Sequence, residues 1–225
     1  MRELVELVAE RERVLSTFLD REKERLAVAC HAMARAFSRG GTLLAFGTGA
    51  AATDAAHVAV EFMNPVIVGK RALPALAPPA DVFGLARPGD IALGIAHDDD
   101  PAVTSFLEHA RAREALTLSF GTTPADFVFT VQSQDPFVVQ EVQETTYHVL
   151  WELVHVFFEH PGLLDDACIT CGDVAVEAAV VAVENGTAWI EKEGLREQVA
   201  VDLLDGVRVG DVVLCHAGVA LEKLR

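Results

Sequence analysis

Apolar residues recur every three or four positions along the first 37 residues of the chain. In residues 3 to 37, Leu, Val and Phe take these positions, and Glu and Arg lie between them, as expected for one face of an amphipathic helix. The segment SRGG ends the pattern, and the apolar run TLLAFG follows it. A short apolar run that ends in glycine is typical of a buried parallel strand. The pattern therefore predicts a long helix followed by such a strand.

Further apolar runs of this kind follow at PVIVG (65–69), DIALGIA (90–96), ALTLSF (115–120) and DFVFTV (126–131). Helix-like stretches separate several of them, notably 51–62 and 102–113. Pro136 then begins a long helix that reaches about His160, which agrees with the preference of proline for a first helical turn. This alternation predicts an α/β domain with a parallel sheet flanked by helices.

The pattern changes after the segment HPGLLDDA (160–167), which breaks the helical pattern and is typical of a linker. Short β-prone runs with turn residues between them fill the rest of the chain, among them GTAWIEKE, EQVAVDLL and DVVLCHAG. About 58 residues of this character predict a small β-barrel. We therefore predict an α/β domain over 1–160, a linker over 161–167 and a barrel over 168–225.

Composition narrows the classes of protein that the chain can belong to. A formal net charge of −16 over 225 residues argues against nucleic acids and anionic membrane surfaces as partners. No run reaches the roughly 18 apolar residues of a membrane span, and the charged, periodic N-terminus is unlike a signal peptide. The four cysteines have no framework spacing, so a reduced, cytoplasmic protein is expected.

Two helix-like segments carry residues that bind metals. His57 and Glu61 are four residues apart, and Gln140, Glu144 and His148 repeat the same spacing on the later helix, so each set shares one helix face. Imidazole and carboxylate groups are suitable ligands for zinc or a similar divalent ion. A surface ion pair is the alternative interpretation of any single His–Glu pair.

The segments AFGTGAAATDAAHVAVE and QEVQETTYH resemble the sugar-isomerase (SIS) domain of the phosphoheptose isomerases, over roughly residues 1–160. That family converts sedoheptulose 7-phosphate to a heptose phosphate and uses zinc. The resemblance implies that His57, Glu61, Gln140 and His148 hold the metal, with Glu61 as the catalytic base and His148 as the acid. It also implies a homo-oligomer, either a dimer or a tetramer. Eight helical residues rise about 12 Å, so Gln140 and His148 can share one ion only if both side chains reach towards each other.

The substrate loops depart from the pattern of that family. In the glycine turn of Gly47 and Gly49, Ala51 stands where the family has a serine for the phosphate, and AHDDDP (96–101) replaces a Ser/Thr-rich phosphate loop. Carboxylates would repel a phosphate dianion by about 1 kcal/mol per close pair in water. We therefore expect poor binding of phosphosugars. His97 and the run that begins at Asp98 are interpreted either as metal-seeking or as a solvated acidic loop.

The C-terminal segments CITCGDVAVEAAVVAV and VGDVVLCHAGVAL resemble the HypC/HupF family of hydrogenase-assembly chaperones, which are small OB-like barrels. The resemblance implies that Cys168, with His216, carries iron. It further implies two partners, a maturation scaffold protein and the hydrogenase large-subunit precursor. The chain departs from the family in two ways, because Cys168 is internal and TCGD replaces the usual hydrophobic–Pro–Gly segment, adding Cys171.

Two other interpretations of the cysteine pair remain open. Cys215 and His216 could complete a structural zinc site with it, or the pair could be a thioredoxin-like redox motif, although that motif normally precedes a helix. On one strand, Cys215 and His216 point in opposite directions, which favours Cys215 as a core residue. Cys30 is predicted to be a small buried hydrophobe.

Together these resemblances imply a [NiFe]-hydrogenase maturation factor. It would combine a HypC-like iron carrier with a metal-binding SIS domain that has lost its phosphosugar loop. The alternative is a zinc-dependent aldose–ketose isomerase of altered specificity. A third hypothesis is a structural adaptor in which both sites are vestigial.

Overall fold

The computed structural model describes residues 4–79, 83–160, 164, 175–192 and 194–225. The chain divides into two compact units, one of Met1–Glu22 with Arg35–Trp151 and the other of Lys23–Ala34 with Glu152–Arg225. The predicted linker at 161–167 lies, apart from Leu164, outside the described residues. The predicted domain boundary therefore stays a prediction.

The first unit contains a parallel sheet of five strands in the order β2-β1-β3-β4-β5. The strands are β1 (Leu43–Gly47), β2 (Ala75–Leu76), β3 (Ile91–Ile95), β4 (Leu116–Phe120) and β5 (Phe127–Phe129). Strands β1 and β3 are buried along their whole length, as continuous apolar runs require in a sheet covered on both faces. The predicted α/β fold is thereby confirmed.

Four helices accompany these strands in sequence: α1 (Leu4–Ser38), α2 (Ala51–Met63), α3 (Pro101–Arg111) and α4 (Pro136–Glu159). Both α3 and α4 begin with proline, whose missing N–H costs nothing in a first turn. The predicted helices are thus confirmed, with α1 and α4 ending within a residue or so of the expected positions. None of the helices that the structure describes has an apolar stretch of the length needed to cross a bilayer.

The prediction of a strand at PVIVG (65–69) is wrong. This segment forms bends and turns, and the edge of the sheet is taken by Ala75–Leu76, which pair with Leu43 and Leu44. Pro65 has no N–H to give to a ladder, and Val68 is 100% exposed. The apolar run therefore lies on the surface.

Apolar side chains of β1 and α3 form the core on one side of the sheet. Phe46 of β1 contacts Phe106 of α3, with ring centroids 5.1 Å apart, and Leu44 and Val103 belong to the same buried cluster. Gly94 of β3 lies beneath α3, since a Cβ there would lie 2.7 Å from Val103 Cγ1. The close packing of α3 on the sheet depends on this glycine.

The second unit contains a closed barrel in the order β10-β8-β7-β6-β9. Its strands are β6 (Val176–Glu184), β7 (Thr187–Lys192), β8 (Leu195–Ala200), β9 (Val212–His216) and β10 (Val219–Lys223). Side chains that include Val180, Ile190, Val199 and Val213 fill its core. The predicted small barrel is confirmed.

We expect Val58, which lies on α2, and Val68, which follows that helix, to differ in their contribution to stability. Val58 of α2 is 0% exposed and Val68 is 100% exposed, so Val58→Ala should lower the free energy of unfolding by about 2 kcal/mol. The matched Val68→Ala change should leave it within about 0.5 kcal/mol of the parent value. Urea denaturation measures both, and a large cost for Val68→Ala would mean that this segment is buried.

Candidate metal centre

Helix α2 presents His57 and Glu61 from consecutive turns of one face. His57 Nε2 lies 3.2 Å from Glu61 Oε1, and both residues are partly buried. Two ligands of one tetrahedral zinc ion, each about 2.1 Å from it, lie about 3.4 Å apart. The spacing within α2 is therefore suited to an ion held between these two atoms.

Helix α4 brings His148 to the same place. The ligand atoms of His57, Glu61 and His148 all lie within 4.8 Å of one another, and the two imidazole rings meet edge to face with centroids 5.2 Å apart. Two imidazoles and one carboxylate are a donor set that zinc and similar divalent ions favour, and catalytic zinc sites commonly have three protein ligands. The residues present thus fit a divalent metal ion.

Two further side chains of α4 hold α2 in place. The Tyr147 hydroxyl lies 2.8 Å from His57 Nδ1, and the Trp151 indole donates to the Glu61 carbonyl at 2.8 Å. Tyr147 is fully buried, and burial raises the pKa of its hydroxyl, with a further rise from the nearby carboxylates of Glu144, Asp54 and Glu61. Tyr147 is therefore a neutral hydroxyl that can both donate and accept.

Gln140 contacts α2 about one turn before His57. Its side-chain amide donates to both carboxylate oxygens of Asp54, at 3.1 and 3.2 Å. Asp54 is buried on α2, and His97 Nε2 lies 3.6 Å from it. The structure thus brings Gln140 and His97 together on Asp54, and the assignment of Gln140 as a metal ligand stays a prediction.

The glycine turn between β1 and α2 is shaped by close packing. A Cβ on Gly47 would lie 2.5 Å from the Ala51 carbonyl oxygen, so only glycine fits there without a backbone shift. Gly49 has φ +56, which glycine adopts at little cost. Ala51 is buried at the first position of α2 and offers no hydroxyl for a substrate.

Two carboxylates of the acidic loop after β3 accept hydrogen bonds from other groups of the protein. Asp100 caps α3 by accepting from the amides of Ala102 and Val103, and it also accepts from the Thr48 hydroxyl. Asp98 and Asp99 are both exposed, and Asp99 accepts from the Thr122 hydroxyl at 2.7 Å. Neither sequence interpretation anticipated this role, although an aspartate followed by proline just before the predicted helix is a typical signal of a cap.

These contacts also set the charge of the Asp100 carboxylate. The hydrogen bond from Thr48, together with those from the two backbone amides, holds its pKa below the ordinary value of 3.8, against the opposing effect of partial burial. The first turn of α3, which could otherwise hold an anion, is therefore occupied by a carboxylate of the chain itself.

In the barrel, the structure describes His216 but not Cys168 or Cys171. Both His216 and its neighbour Cys215 on β9 are buried, and burial raises the pKa of the Cys215 thiol to about 12. Cys215 belongs to the barrel core and Cys30 is buried on α1, so the predictions of core cysteines are confirmed. Because Cys168 lies outside the described residues, its pairing with His216 stays a prediction.

Sequence reasoning missed Tyr147, Trp151 and Asp54. Asp54 lies three residues before His57, and Trp151 lies three after His148, so both follow the helical spacing of the ligands. That spacing could have identified them. Tyr147 carries the same signal, because it lies three residues after Glu144 and seven after Gln140.

Comparison with known proteins defines the class. Residues 7–119 match the SIS domain family, and residues 174–225 match the HupF/HypC family. The phosphoheptose isomerase of Thermodesulfovibrio yellowstonii is 31% identical over an alignment of 159 positions, and the match covers 58% of this chain and 79% of that protein. The phosphoheptose isomerase of Desulfovibrio desulfuricans is 32% identical over an alignment of 181 positions, and the match covers 68% of this chain and 86% of that protein.

A solved structure has the same fold. The phosphoheptose isomerase from Francisella tularensis superposes with a TM-score of 0.59 at 21% sequence identity, covering 69% of this chain and 99% of that one. This likeness shows that the fold is shared. The chain therefore belongs to the SIS domain family, with a C-terminal segment that matches the HupF/HypC family.

We expect Asp100→Ala to destabilise the protein by about 1 kcal/mol through loss of the α3 cap. Because the pKa of Asp100 is lower in the folded state than its ordinary value of 3.8, the stabilisation is complete above about pH 4 and is lost as the pH falls through the folded-state pKa. The exposed Asp98→Ala is the matched control. Urea denaturation at pH 7 and pH 3 measures both, and an equal cost for Asp100→Ala at the two pH values would contradict the argument.

Proposed function

We propose that this chain is a maturation factor for [NiFe]-hydrogenases. Its barrel carries iron on Cys168 with the help of His216, and its SIS domain binds a divalent metal ion, with zinc as the first candidate. The partners are a maturation scaffold protein and the hydrogenase large-subunit precursor, and the SIS domain supports a homo-oligomer. The joining of a HupF/HypC segment to an SIS domain in one chain carries this proposal.

The barrel supports the iron-carrier role through the placement of His216. This residue lies on β9 inside the matched segment, and it is buried beside the barrel core. Thiolate and imidazole are ligands that suit iron, whereas the buried thiol of Cys215 is held protonated by its raised pKa. Of the thiols of the barrel segment, Cys168 is therefore a better candidate for an iron ligand than Cys215.

The SIS domain supports a metal-binding role more strongly than a phosphosugar role. The donor atoms of His57, Glu61 and His148 converge, whereas the groups that would grip a phosphate are engaged within the protein. The hydroxyls of Thr48 and Thr122 donate to Asp100 and Asp99. A phosphate at these loops would meet two carboxylates instead of two free hydroxyls.

A second candidate function is a metal-dependent aldose–ketose isomerase that acts on a sugar without this phosphate grip. The convergence of Glu61 and His148 within one cluster favours it, since the reaction needs a base and an acid close together. Glu61 would take the proton from the sugar and His148 would supply one. A bound divalent ion would polarise the sugar oxygens.

Elemental analysis of the anaerobically purified protein tests the two metal sites. We expect a divalent metal near one per chain that is lost in His57→Ala, because the cluster then keeps only two of its three described ligands. We also expect iron that is lost in Cys168→Ser, because the thiolate is its proposed ligand.

Matched variants control these measurements. His109→Ala removes an exposed histidine of α3, and Cys30→Ala removes a buried thiol of α1, so neither should change the metal content. Iron that survives Cys168→Ser would contradict the carrier role. Unchanged hydrogenase maturation in cells that carry the same variant would also contradict it.

Binding of phosphosugars tests whether the loops that follow β1 and β3 exclude a phosphate. We expect weak binding of sedoheptulose 7-phosphate by the parent protein. The double change Asp99→Ser/Asp100→Ser should tighten binding by about fivefold for each carboxylate removed, since one close like-charge contact costs about 1 kcal/mol in water. Serine keeps a capping oxygen at α3. Isothermal titration measures the affinity, and tight binding by the parent protein would overturn this interpretation.

A further inference from the structure

The two ring nitrogens of His57 face different partners. Nε2 lies 3.2 Å from the carboxylate of Glu61, towards the cluster. Nδ1 lies 2.8 Å from the Tyr147 hydroxyl. A histidine that binds a metal through one nitrogen normally donates the N–H of the other to a neighbouring acceptor, which fixes the tautomer and the direction of the ring.

We propose that Tyr147 is a positioning residue for the metal centre, whose hydroxyl accepts the Nδ1–H of His57 and so leaves the Nε2 lone pair for the metal ion. This inference rests on the metal site proposed above. It goes beyond that site because it assigns the tautomer of a ligand to a residue outside the ligand set.

The surroundings of His57 favour Tyr147 over Glu144 in this role. Glu144 Oε1 is 3.8 Å from Nδ1, beyond hydrogen-bond distance, and 46% of its side chain is exposed. Tyr147 is 1% exposed and lies within hydrogen-bond distance. Its ring also meets both imidazoles, with centroids 5.4 Å from His57 and 4.8 Å from His148. The buried phenol is thus held in place by packing as well as by its hydroxyl.

A hydroxyl has a property here that a carboxylate lacks, because it can either donate or accept. Without metal, Tyr147 can donate to Nδ1 while Nε2–H donates to Glu61. With metal on Nε2, the ring carries its single proton on Nδ1 and Tyr147 accepts it. The ring keeps one proton in both states, and the contact between His57 and Tyr147 is preserved while the hydroxyl rotates.

The variant Tyr147→Phe tests the proposal, because it keeps the ring between the two imidazoles and removes only the hydroxyl. We expect zinc affinity, measured by competition with a chromophoric chelator, to fall by about 10-fold to 100-fold. The visible absorption of the Co²⁺-substituted protein should also change, because His57 is free to rotate. Thr145→Val is the matched control, because it removes an α4 hydroxyl that donates to the Glu141 carbonyl and not to the cluster, and it should leave both readouts as in the parent protein.

A measurement on the parent protein does not depend on whether the variant folds. In the zinc-loaded protein, long-range ¹H–¹⁵N correlation spectra should show His57 protonated at Nδ1 and metal-bound at Nε2. A metal-bound Nδ1, or zinc affinity and a Co²⁺ spectrum unchanged in a folded Tyr147→Phe protein, would overturn the proposal and leave the metal site intact. A parent protein that binds neither zinc nor Co²⁺ would overturn both the metal site and this inference.

Discussion

The alignment of α2 with α4 is the constraint on which the candidate metal centre depends. Each ligand set lies on one face of its own helix, but no single helix can surround an ion. Three side chains of α4 make hydrogen bonds to α2, and their partners follow the same order along both helices. The pairs are Gln140 with Asp54, Tyr147 with His57, and Trp151 with the carbonyl of Glu61.

The candidate metal cluster and the loops at the strand ends of the same domain use their polar groups in opposite ways. The cluster of His57, Glu61 and His148 keeps its donor atoms together, whereas the loops at the strand ends use their hydrogen-bonding capacity internally. Asp100 takes the free amides at the start of α3 and the hydroxyl of Thr48. A buried or capping carboxylate that accepts several hydrogen bonds stays charged. The loops therefore present negative charge at the carboxyl ends of β1 and β3.

Much of the fold could be predicted because its signals are local. The apolar spacing of α1, the prolines that begin α3 and α4, and the continuous apolar strands β1 and β3 each follow from neighbouring residues. The run at 65–69 shows the limit of such reasoning. Its composition favours a strand, yet Ala75–Leu76 pair with β1 at the edge of the sheet. Which segment pairs there depends on the path of the chain after α2, and local composition does not fix that path.

In the candidate site, too, some features follow from local sequence and others depend on the tertiary structure. By itself, the sequence determined the ligand types and their helical spacing, since residues four apart always share a helix face. It also determined that an acidic run, Asp98 to Asp100, follows β3. Only the tertiary structure decided that His148 meets His57 and Glu61, that Gln140 lies on Asp54, and that Tyr147 reaches Nδ1 of His57. These contacts join residues about 90 positions apart, and their distances depend on how the helices pack.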